Sequence, residues 1–209
     1  MIGARAALER LQQGNRRFVA EVRSLPLNAS ASRRYELASG QEPVAIILGC
    51  SDSRVPAEIV FDQGLGDLFV IRVAGNIVAP SQVGSVEFAA ERFGTRLVVV
   101  LGHSTCGAIL ATLDELARPF GSQSPNLQSI VDRVRPSVQP LLATDLRNDR
   151  DALIREAVRA NIRASANQLR HGSRILEQLI HNDGLVVVGA EYSLESGVVE
   201  FFDGVPPAG

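Results

Sequence analysis

Long apolar segments are missing from this 209-residue sequence. No run of apolar residues approaches the ~20 that a membrane-spanning helix needs. Residues 1–18, MIGARAALERLQQGNRRF, carry a charge every few positions and lack the apolar core of a secretion signal. We therefore expect a cytoplasmic protein with no membrane partner, although a targeting segment already removed from the N-terminus would leave the same sequence.

The sequence also has little net charge and few cysteines. It contains 21 basic and 23 acidic residues, for a formal net charge of -2 at pH 7. This balance attracts neither the phosphate backbone of nucleic acids nor an anionic membrane, so we expect neither as a partner. Two cysteines are too few for the disulfide framework of a secreted protein. Hydrophobic residues make up 45% of the chain, which at this length predicts a single globular domain over residues 1–209.

Runs of consecutive apolar residues predict strands that are buried on both faces of a sheet. Five segments are rich in such residues: VAIILG (44–49), LFVIRV (68–73), LVVVLG (97–102), LVVVGAEY (185–192) and GVVEFF (197–202). Helical periodicity predicts helices over residues 4–22, 81–94, 106–117 and about 151–181, the last with an interruption at Gly172. This alternation predicts an α/β fold with a mainly parallel central sheet of four to five strands flanked by helices.

The predicted N-terminal helix is amphipathic, and its apolar face has to pack on something. A polar stretch at residues 24–42 separates it from the first strand, which favours a helical arm over residues 1–22 that wraps a partner subunit. Packing on its own domain is the alternative. After Pro119 the sequence becomes rich in serine, proline and glutamine, which predicts a link that leads to the helix near residue 151.

Side chains that bind metals follow two of the predicted strands. Cys50 comes directly after the first strand, and His103 and Cys106 follow the third. Because sites in an α/β fold form beyond the carboxyl ends of the strands, we expect these three residues to lie close together. Two thiolates and one imidazole bind zinc and leave a fourth position open, as in sites where the metal takes part in catalysis.

Each part of this pattern also has a simpler interpretation. A lone buried cysteine is usually a small core hydrophobe, and an isolated H-x-x-C pair often arises by chance. A disulfide between Cys50 and Cys106 is a further alternative, but it leaves His103 unexplained and a reducing cytosol disfavours it. The combination favours a metal site. His171 and His181 lie in the polar helical tract, and we expect them to be structural.

Around these residues the sequence resembles the β-class carbonic anhydrases, in particular their plant-type subgroup. CSDSRVPAEIVFDQGLGDLFVIRVAGN (50–76) and LGHSTCGAI (101–109) contain the C-x-D-x-R and H-x-x-C motifs of that family. The resemblance covers most of the chain and implies a lyase that hydrates CO2 reversibly to bicarbonate and a proton by attack of zinc-bound hydroxide. It implies that Cys50, His103 and Cys106 bind one zinc per chain and that Asp52 and Arg54 are catalytic.

The resemblance also implies how Asp52 and Arg54 act. Arg54 can hold Asp52 in a bidentate ion pair, and the fixed carboxylate can accept a proton from the zinc-bound oxygen. Released from Arg54, Asp52 is a zinc ligand in a closed state. The simpler interpretation is a helix-start carboxylate in a surface ion pair. Because two thiolates offset the charge of the zinc, the pKa of its bound water should exceed about 7, so activity should rise toward alkaline pH.

A substrate-binding pocket is implied as well. Gln41 matches a glutamine that reaches the site from a neighbouring subunit, and Phe69 and Phe88 match an aromatic wall. Gly107 has no side chain, which leaves its N–H accessible to substrate. A site shared between subunits implies self-association as a dimer or a dimer of dimers. The bicarbonate-regulated subgroup carries tryptophan where this chain has Ile47, so we do not expect that regulatory site.

Two other functions stay open on the sequence alone. Some proteins of the same fold hydrolyse carbon disulfide, with the site kept and the substrate changed. A zinc-binding or thiol-redox module without turnover is the second alternative, and it leaves Asp52 and Arg54 without a role. A CO2 hydration assay on metal-replete protein separates all three.

Overall fold

Five strands form one sheet in the computed structural model, which describes residues 2–22, 30–117 and 124–207. The strands are β1 (Ala45–Gly49), β2 (Leu68–Arg72), β3 (Leu97–His103), β4 (Val186–Tyr192) and β5 (Val199–Asp203). Their order is β2-β1-β3-β4-β5; the first four are parallel, and β5 runs antiparallel to β4 at one edge. The predicted α/β fold with a mainly parallel sheet is confirmed.

Eight α-helices flank this sheet in the described ranges. They are α1 (Ala4–Val19), α2 (Ala31–Leu37), α3 (Ala57–Val60), α4 (Pro80–Arg92), α5 (Gly107–Ala117), α6 (Pro125–Val138), α7 (Arg150–His171) and α8 (Arg174–Asn182). The predicted interruption at Gly172 separates α7 from α8, and the Ser173 side chain accepts a hydrogen bond from the Leu176 N–H to begin α8. None of the helices described in these ranges is both long and apolar enough to cross a membrane.

Three helices, the short α3 as well as α2 and α6, were not predicted from the sequence. Helix α2 lies within the polar stretch at 24–42, whose residues 24–29 are outside the described residues. Helix α6 lies in the predicted Ser/Pro/Gln-rich link, of which residues 118–123 are outside the described residues. Ser124 caps α6, and Pro125 occupies its first turn, where a missing N–H costs little. Both residues had suggested a loop, although they also mark a helix start.

The central strands are buried on both faces, as their consecutive apolar residues predicted. In β1, Ile46 and Leu48 belong to the core under α4 to α8, whereas Ala45 and Ile47 belong to the core under α1 and α3. Side chains alternate between faces along a strand, so each residue of β1 contributes to one of two cores. The sheet is therefore a rigid middle layer, and its strand ends are fixed positions on which a site can be built.

Helix α1 packs on its own domain, which is the alternative to the predicted partner-wrapping arm. Leu8 and Leu11 are buried in the core that lies between the sheet and helices α1 and α3. The buried Asn15 fastens the helix further: its Nδ2 donates to the Val60 and Gly197 carbonyls at 3.1 and 2.8 Å. Its Oδ1 accepts from the Val199 N–H at 2.8 Å. Any contact of α1 with a partner subunit therefore has to use its outer face.

Candidate metal centre

The candidate site lies beyond the carboxyl ends of β1 and β3, which are neighbouring parallel strands. From β1 the sheet extends to β2 on one side and to β3 on the other, so this is the point where the strand order reverses. Cys50 follows β1, His103 is the last residue of β3, and Cys106 directly precedes α5. The fold thus brings together the three residues that the sequence placed after strands.

These residues, hereafter the Cys-His-Cys cluster, are all buried, and their ligand atoms lie within 4.8 Å of one another. The sulfurs of Cys50 and Cys106 are 3.9 Å apart and both cysteines are free. Two thiolates bound at about 2.3 Å to one tetrahedral zinc have sulfurs about 3.8 Å apart. The spacing therefore fits two ligands of one ion and not a disulfide, whose sulfurs are about 2.0 Å apart.

The imidazole of His103 is oriented for metal binding. Its Nδ1 lies 3.0 Å from the Ser104 carbonyl, so Nδ1 carries the proton and donates it there. Its Nε2 is buried and has no hydrogen-bond partner among the described residues. A buried polar atom without a partner is costly, and a metal ion satisfies this one. The donor set of two sulfurs and one nitrogen fits zinc.

The turn that carries His103 and Cys106 is held by the end of β4. Thr105, between them, has a left-handed backbone with φ of 53°, which is strained for a residue with a side chain. Two hydrogen bonds of the adjacent Ser104 hold the turn in this conformation. Its N–H donates to the Tyr192 carbonyl and its Oγ accepts from the Leu194 N–H, both at 3.0 Å. The two ligands therefore sit on a turn that the sheet itself fixes.

The two thiols share one negative charge in the absence of metal. The pKa of Cys50 falls to about 4, chiefly because the Cys106 side chain hydrogen-bonds to it, and the Gly75 N–H adds to this effect while burial opposes it. The pKa of Cys106 is raised by its bond to Cys50 and by burial, while the N–H groups of Ala108 and Ile109 at the start of α5 act against the rise. A bound cation would displace the second proton.

Asp52 and Arg54 form a bidentate ion pair beside the cluster. Arg54 Nε donates to Oδ1 at 2.9 Å and Nη2 donates to Oδ2 at 2.7 Å, while the Arg54 backbone N–H also donates to Oδ1 at 3.0 Å. These bonds hold the pKa of Asp52 well below its usual range. Asp52 Oδ2 lies 3.8 Å from the unpaired Nε2 of His103. The carboxylate thus faces the place where a metal would bind.

Arg72, the last residue of β2, was missed in the sequence. Its Nε donates to the Cys50 carbonyl at 3.0 Å and its Nη2 donates to the Asp52 carbonyl at 2.6 Å. It therefore fixes the backbone of a candidate ligand, Cys50, and of the candidate catalytic carboxylate, Asp52, together. The sequence signal for Arg72 was an arginine at the end of an apolar strand, LFVIR. An arginine at that position is also expected wherever a strand simply reaches the surface.

Gly107, predicted to contact substrate, lies at the site. It is the first residue of α5, is exposed, and has no atom within 4 Å of the position that a Cβ would take. The backbone N–H groups of a first helical turn lack partners within the helix. His171 and His181, expected to be structural, lie on α7 and α8 outside the Cys-His-Cys cluster.

Gln41, Phe69 and Phe88 are not brought to the Cys-His-Cys cluster of their own chain. Gln41 precedes β1, whereas Cys50 follows it, so a whole strand lies between them. Phe69 pairs in register with Ile46, near the start of β1, and its ring centroid is 6.3 Å from that of Phe88 on α4. Phe88 is 54% exposed.

These three residues share one surface near the β2 edge of the sheet, hereafter the edge surface. Phe93 connects them: its ring contacts those of Phe69 and Phe88, with centroids 6.0 and 5.6 Å apart, and it lines one shallow depression together with Gln41. The predicted substrate residues are therefore grouped with one another, but at the other end of the strands from the cluster.

The comparisons with known proteins agree with this geometry. A family model described as carbonic anhydrase matches residues 45–199. Carbonic anhydrase 2 of Mycobacterium tuberculosis is 40% identical over 197 residues, which cover 92% of this chain and 89% of the relative. The carbonic anhydrase of Mycolicibacterium smegmatis is 40% identical over 200 residues, covering 93% and 91%.

Solved structures show the same fold. The β-carbonic anhydrase CafA of Aspergillus fumigatus superposes with a TM-score of 0.73 at 25% identity, covering 97% of this chain and 91% of that one. One of two tetrameric β-carbonic anhydrases from Sordaria macrospora gives a TM-score of 0.72 at 25% identity, covering 81% and 85%. The family match spans well over half of the chain and includes every residue of the cluster. This chain belongs to the β-class carbonic anhydrase family.

Proposed function

We propose that this chain is a zinc-dependent carbonic anhydrase that hydrates CO2 reversibly to bicarbonate and a proton. Membership of the family supports the reaction. The observation that carries the assignment to a site is the Asp52 carboxylate, fixed by Arg54, 3.8 Å from the unpaired Nε2 of His103. The relatives named above are carbonic anhydrases, so neither carbon disulfide hydrolysis nor a module without turnover is favoured.

Cys50, His103 and Cys106 would hold one zinc ion per chain, because they are the buried sulfur and nitrogen donors that meet at one point. When bound there, zinc supplies hydroxide near neutral pH, because it lowers the pKa of the water molecule that it binds. The backbone N–H groups around the two sulfurs stabilise the thiolate forms that this binding requires.

Asp52 would orient the attacking oxygen by accepting a hydrogen bond from it. It stays ionised at neutral pH, because the Arg54 donors hold the pKa of its carboxyl well below the usual range. Both of its oxygens accept hydrogen bonds from Arg54, and Oδ2 is the one that faces His103. Oδ2 is therefore placed to accept a hydrogen bond from the attacking hydroxide, which would turn a lone pair of the hydroxide oxygen toward CO2.

Arg54 would have a second role, which is to keep Asp52 away from the metal position. If its two side-chain bonds were lost, no other hydrogen bond among the described residues would compete with a metal ion for Oδ2 of Asp52. The exposed N–H of Gly107 would serve on the substrate side as a donor to a bicarbonate oxygen.

Gln41, Phe69 and Phe88 would complete the site of a neighbouring subunit. Their grouping on one surface, away from their own cluster, and the exposure of an aromatic residue such as Phe88 support this role. The Sordaria relatives are described as tetrameric. We therefore propose a homo-oligomer, either a dimer or a dimer of dimers. The single domain over residues 1–209 and the cytoplasmic location stay predictions.

Stopped-flow measurement of CO2 hydration on zinc-loaded protein tests the proposed function, with protein stripped of metal by a chelator as the control. We expect activity that requires zinc and rises toward alkaline pH. Turnover of carbon disulfide without CO2 hydration would favour the first alternative, and zinc binding without turnover of either substrate would favour the second.

A further inference from the structure

The middle of helix α7 contains a buried amide, Asn161, which is 2% exposed. The other buried residues of this stretch are mostly apolar: Ala157, Val158, Ile162 and Ala166. A buried amide is destabilising unless it is hydrogen-bonded. Asn161 Nδ2 donates to the Gly75 carbonyl at 2.8 Å, across 86 positions of sequence. The side chain therefore ties α7 to a single turn elsewhere in the chain.

That turn, Ala74–Asn76, lies against the candidate metal centre. Gly75 has a left-handed backbone with φ of 71°, and a Cβ on it would come within 3.0 Å of the Ala108 Cβ, so glycine is required there. The Gly75 N–H donates to Cys50 Sγ at 3.4 Å. The carbonyl of one glycine is thus held by Asn161, while its N–H is directed at a thiolate.

We propose that Asn161 is a positioning residue for the metal ligand Cys50. By fixing the Gly75 carbonyl it sets the orientation of the Ala74–Asn76 turn, and the turn directs the Gly75 N–H at the sulfur. The N–H···S bond restrains Cys50 Sγ and withdraws electron density from it, which sets how strongly the sulfur binds a metal ion. This inference rests on the proposed zinc site.

Two variants remove the amide donor of Asn161. Asn161→Leu replaces the amide by an apolar group of the same branched shape, and Asn161→Ala truncates the side chain at Cβ. Partners of this kind typically change metal affinity by about 10- to 100-fold. We expect both variants to lose zinc affinity by roughly that factor in competition with a chelator. In cobalt-loaded protein, the sulfur-to-cobalt charge-transfer band should shift to longer wavelength, because the sulfur loses a hydrogen bond.

Leu169→Ala is the matched control. Leu169 is buried in the apolar core on the same helix, about 12 Å further along at 1.5 Å per residue. This variant should lower the melting temperature at least as much as Asn161→Leu, but leave zinc affinity and the cobalt spectrum unchanged. A shift of the spectrum in Leu169→Ala equal to that in the Asn161 variants would overturn the proposal, since general loosening would then explain both.

The Gly75–Cys50 hydrogen bond can also be measured in the wild-type protein, so that this test does not depend on the folding of a variant. With ¹¹³Cd in place of zinc, the Gly75 N–H should show a scalar coupling to cadmium through Cys50 Sγ. Absence of that coupling overturns the proposal, as do wild-type zinc affinity and an unshifted cobalt spectrum in both Asn161 variants. A wild-type protein that binds zinc and hydrates CO2 while these tests fail leaves the proposed function intact. A wild-type protein that binds no zinc overturns both.

Discussion

The two ends of the parallel strands differ in how completely one chain builds them. At the carboxyl ends, the Cys-His-Cys cluster is buried, and neighbouring groups fix the ligands: Ser104 orients His103, and Arg72 and Gly75 hold Cys50. At the amino ends, the edge surface leaves Phe88 54% exposed and has no partner for Gln41 among the described contacts. One end is a candidate metal site that a single chain completes, whereas the other is a partly exposed surface for which we propose a second chain as partner.

The difference separates two kinds of inference. The chemistry of the cluster follows from its own donor atoms, because two thiols and an imidazole at this spacing have few other uses. The role of the edge surface depends on a neighbouring subunit. The geometry of a single chain supports that role only because Gln41, Phe69 and Phe88 do not reach the cluster of their own chain.

Removal of one sulfur should have the largest effect. Cys106→Ser replaces a thiolate ligand with a neutral hydroxyl, which is a poor ligand for zinc. We expect zinc content, measured by elemental analysis, to fall from one per chain to nearly none, and CO2 hydration to fall to the level of metal-stripped wild type. His181→Ala, which removes a histidine outside the cluster, is the control and should keep both. Full zinc occupancy in Cys106→Ser would remove Cys106 from the ligand set.

Loss of the carboxylate beside the cluster should be the next largest effect. Asp52→Asn keeps the size of the side chain but loses the charged acceptor, so kcat/KM should fall on the order of 10² to 10⁴-fold while zinc stays bound. Asp114→Asn is a matched control, because Asp114 forms an ion pair with Arg150 on the surface, at 2.8 Å. Equal rates in the two variants would reduce the Asp52–Arg54 contact to an ordinary surface pair.

Removal of Arg54 tests the same pair from its other side. In Arg54→Ala the Asp52 carboxylate is free to turn, and we expect it to become a fourth protein ligand and to lower activity by occupying the open position. A crystal structure of the zinc-loaded variant checks this directly. A structure that shows three protein ligands, together with wild-type activity, would contradict the holding role of Arg54.

The cluster could be predicted from the sequence because each of its residues ends a strand or follows one. Once VAIILG and LVVVLG are recognised as buried parallel strands, the positions of Cys50 and His103 follow from the rule that sites form at carboxyl ends. The supports of the cluster could not be predicted in this way. Asn161 and Gly75 are 86 positions apart, and their contact depends on how α7 packs across the sheet.

Helix α6 shows a different limit. Its buried residues, Val131, Val134 and Val138, have helical spacing, but serine, glutamine and two prolines around them gave the stronger local signal of a loop. Packing against the neighbouring helices α5 and α7 decides the outcome. The edge surface could not be predicted from the pattern of residues at all. Gln41, Phe69 and Phe88 were identified through resemblance to a family and not through periodicity.

The pH dependence of zinc affinity compares the two sulfurs. The pKa of Cys50 is lowered to about 4, so this thiol is already ionised at neutral pH, whereas the pKa of Cys106 is raised and the thiol keeps its proton. Zinc should therefore displace one thiol proton, and affinity should fall about tenfold for each unit of decrease in pH through the neutral range. Chelator competition between pH 6.5 and pH 8 measures the slope. A slope of two protons would mean that the cysteines do not share a charge.

A single substitution in the edge surface should have the smallest effect on activity. It nevertheless allows a test of whether Gln41 serves the site of its own chain or that of a neighbouring subunit. Gln41→Ala removes one hydrogen-bonding group and should cost roughly tenfold in kcat/KM, with zinc retained. The exposed Gln168 of α7, changed to alanine, is the control and should cost nothing. If Gln41 serves a neighbouring subunit, mixing Gln41→Ala with Asp52→Asn restores one intact site in each mixed dimer. Random mixing should then recover about a quarter of wild-type activity. If each chain uses its own Gln41, the mixture should show only the average of the two weak variants, and the edge surface would lose its role in the shared site.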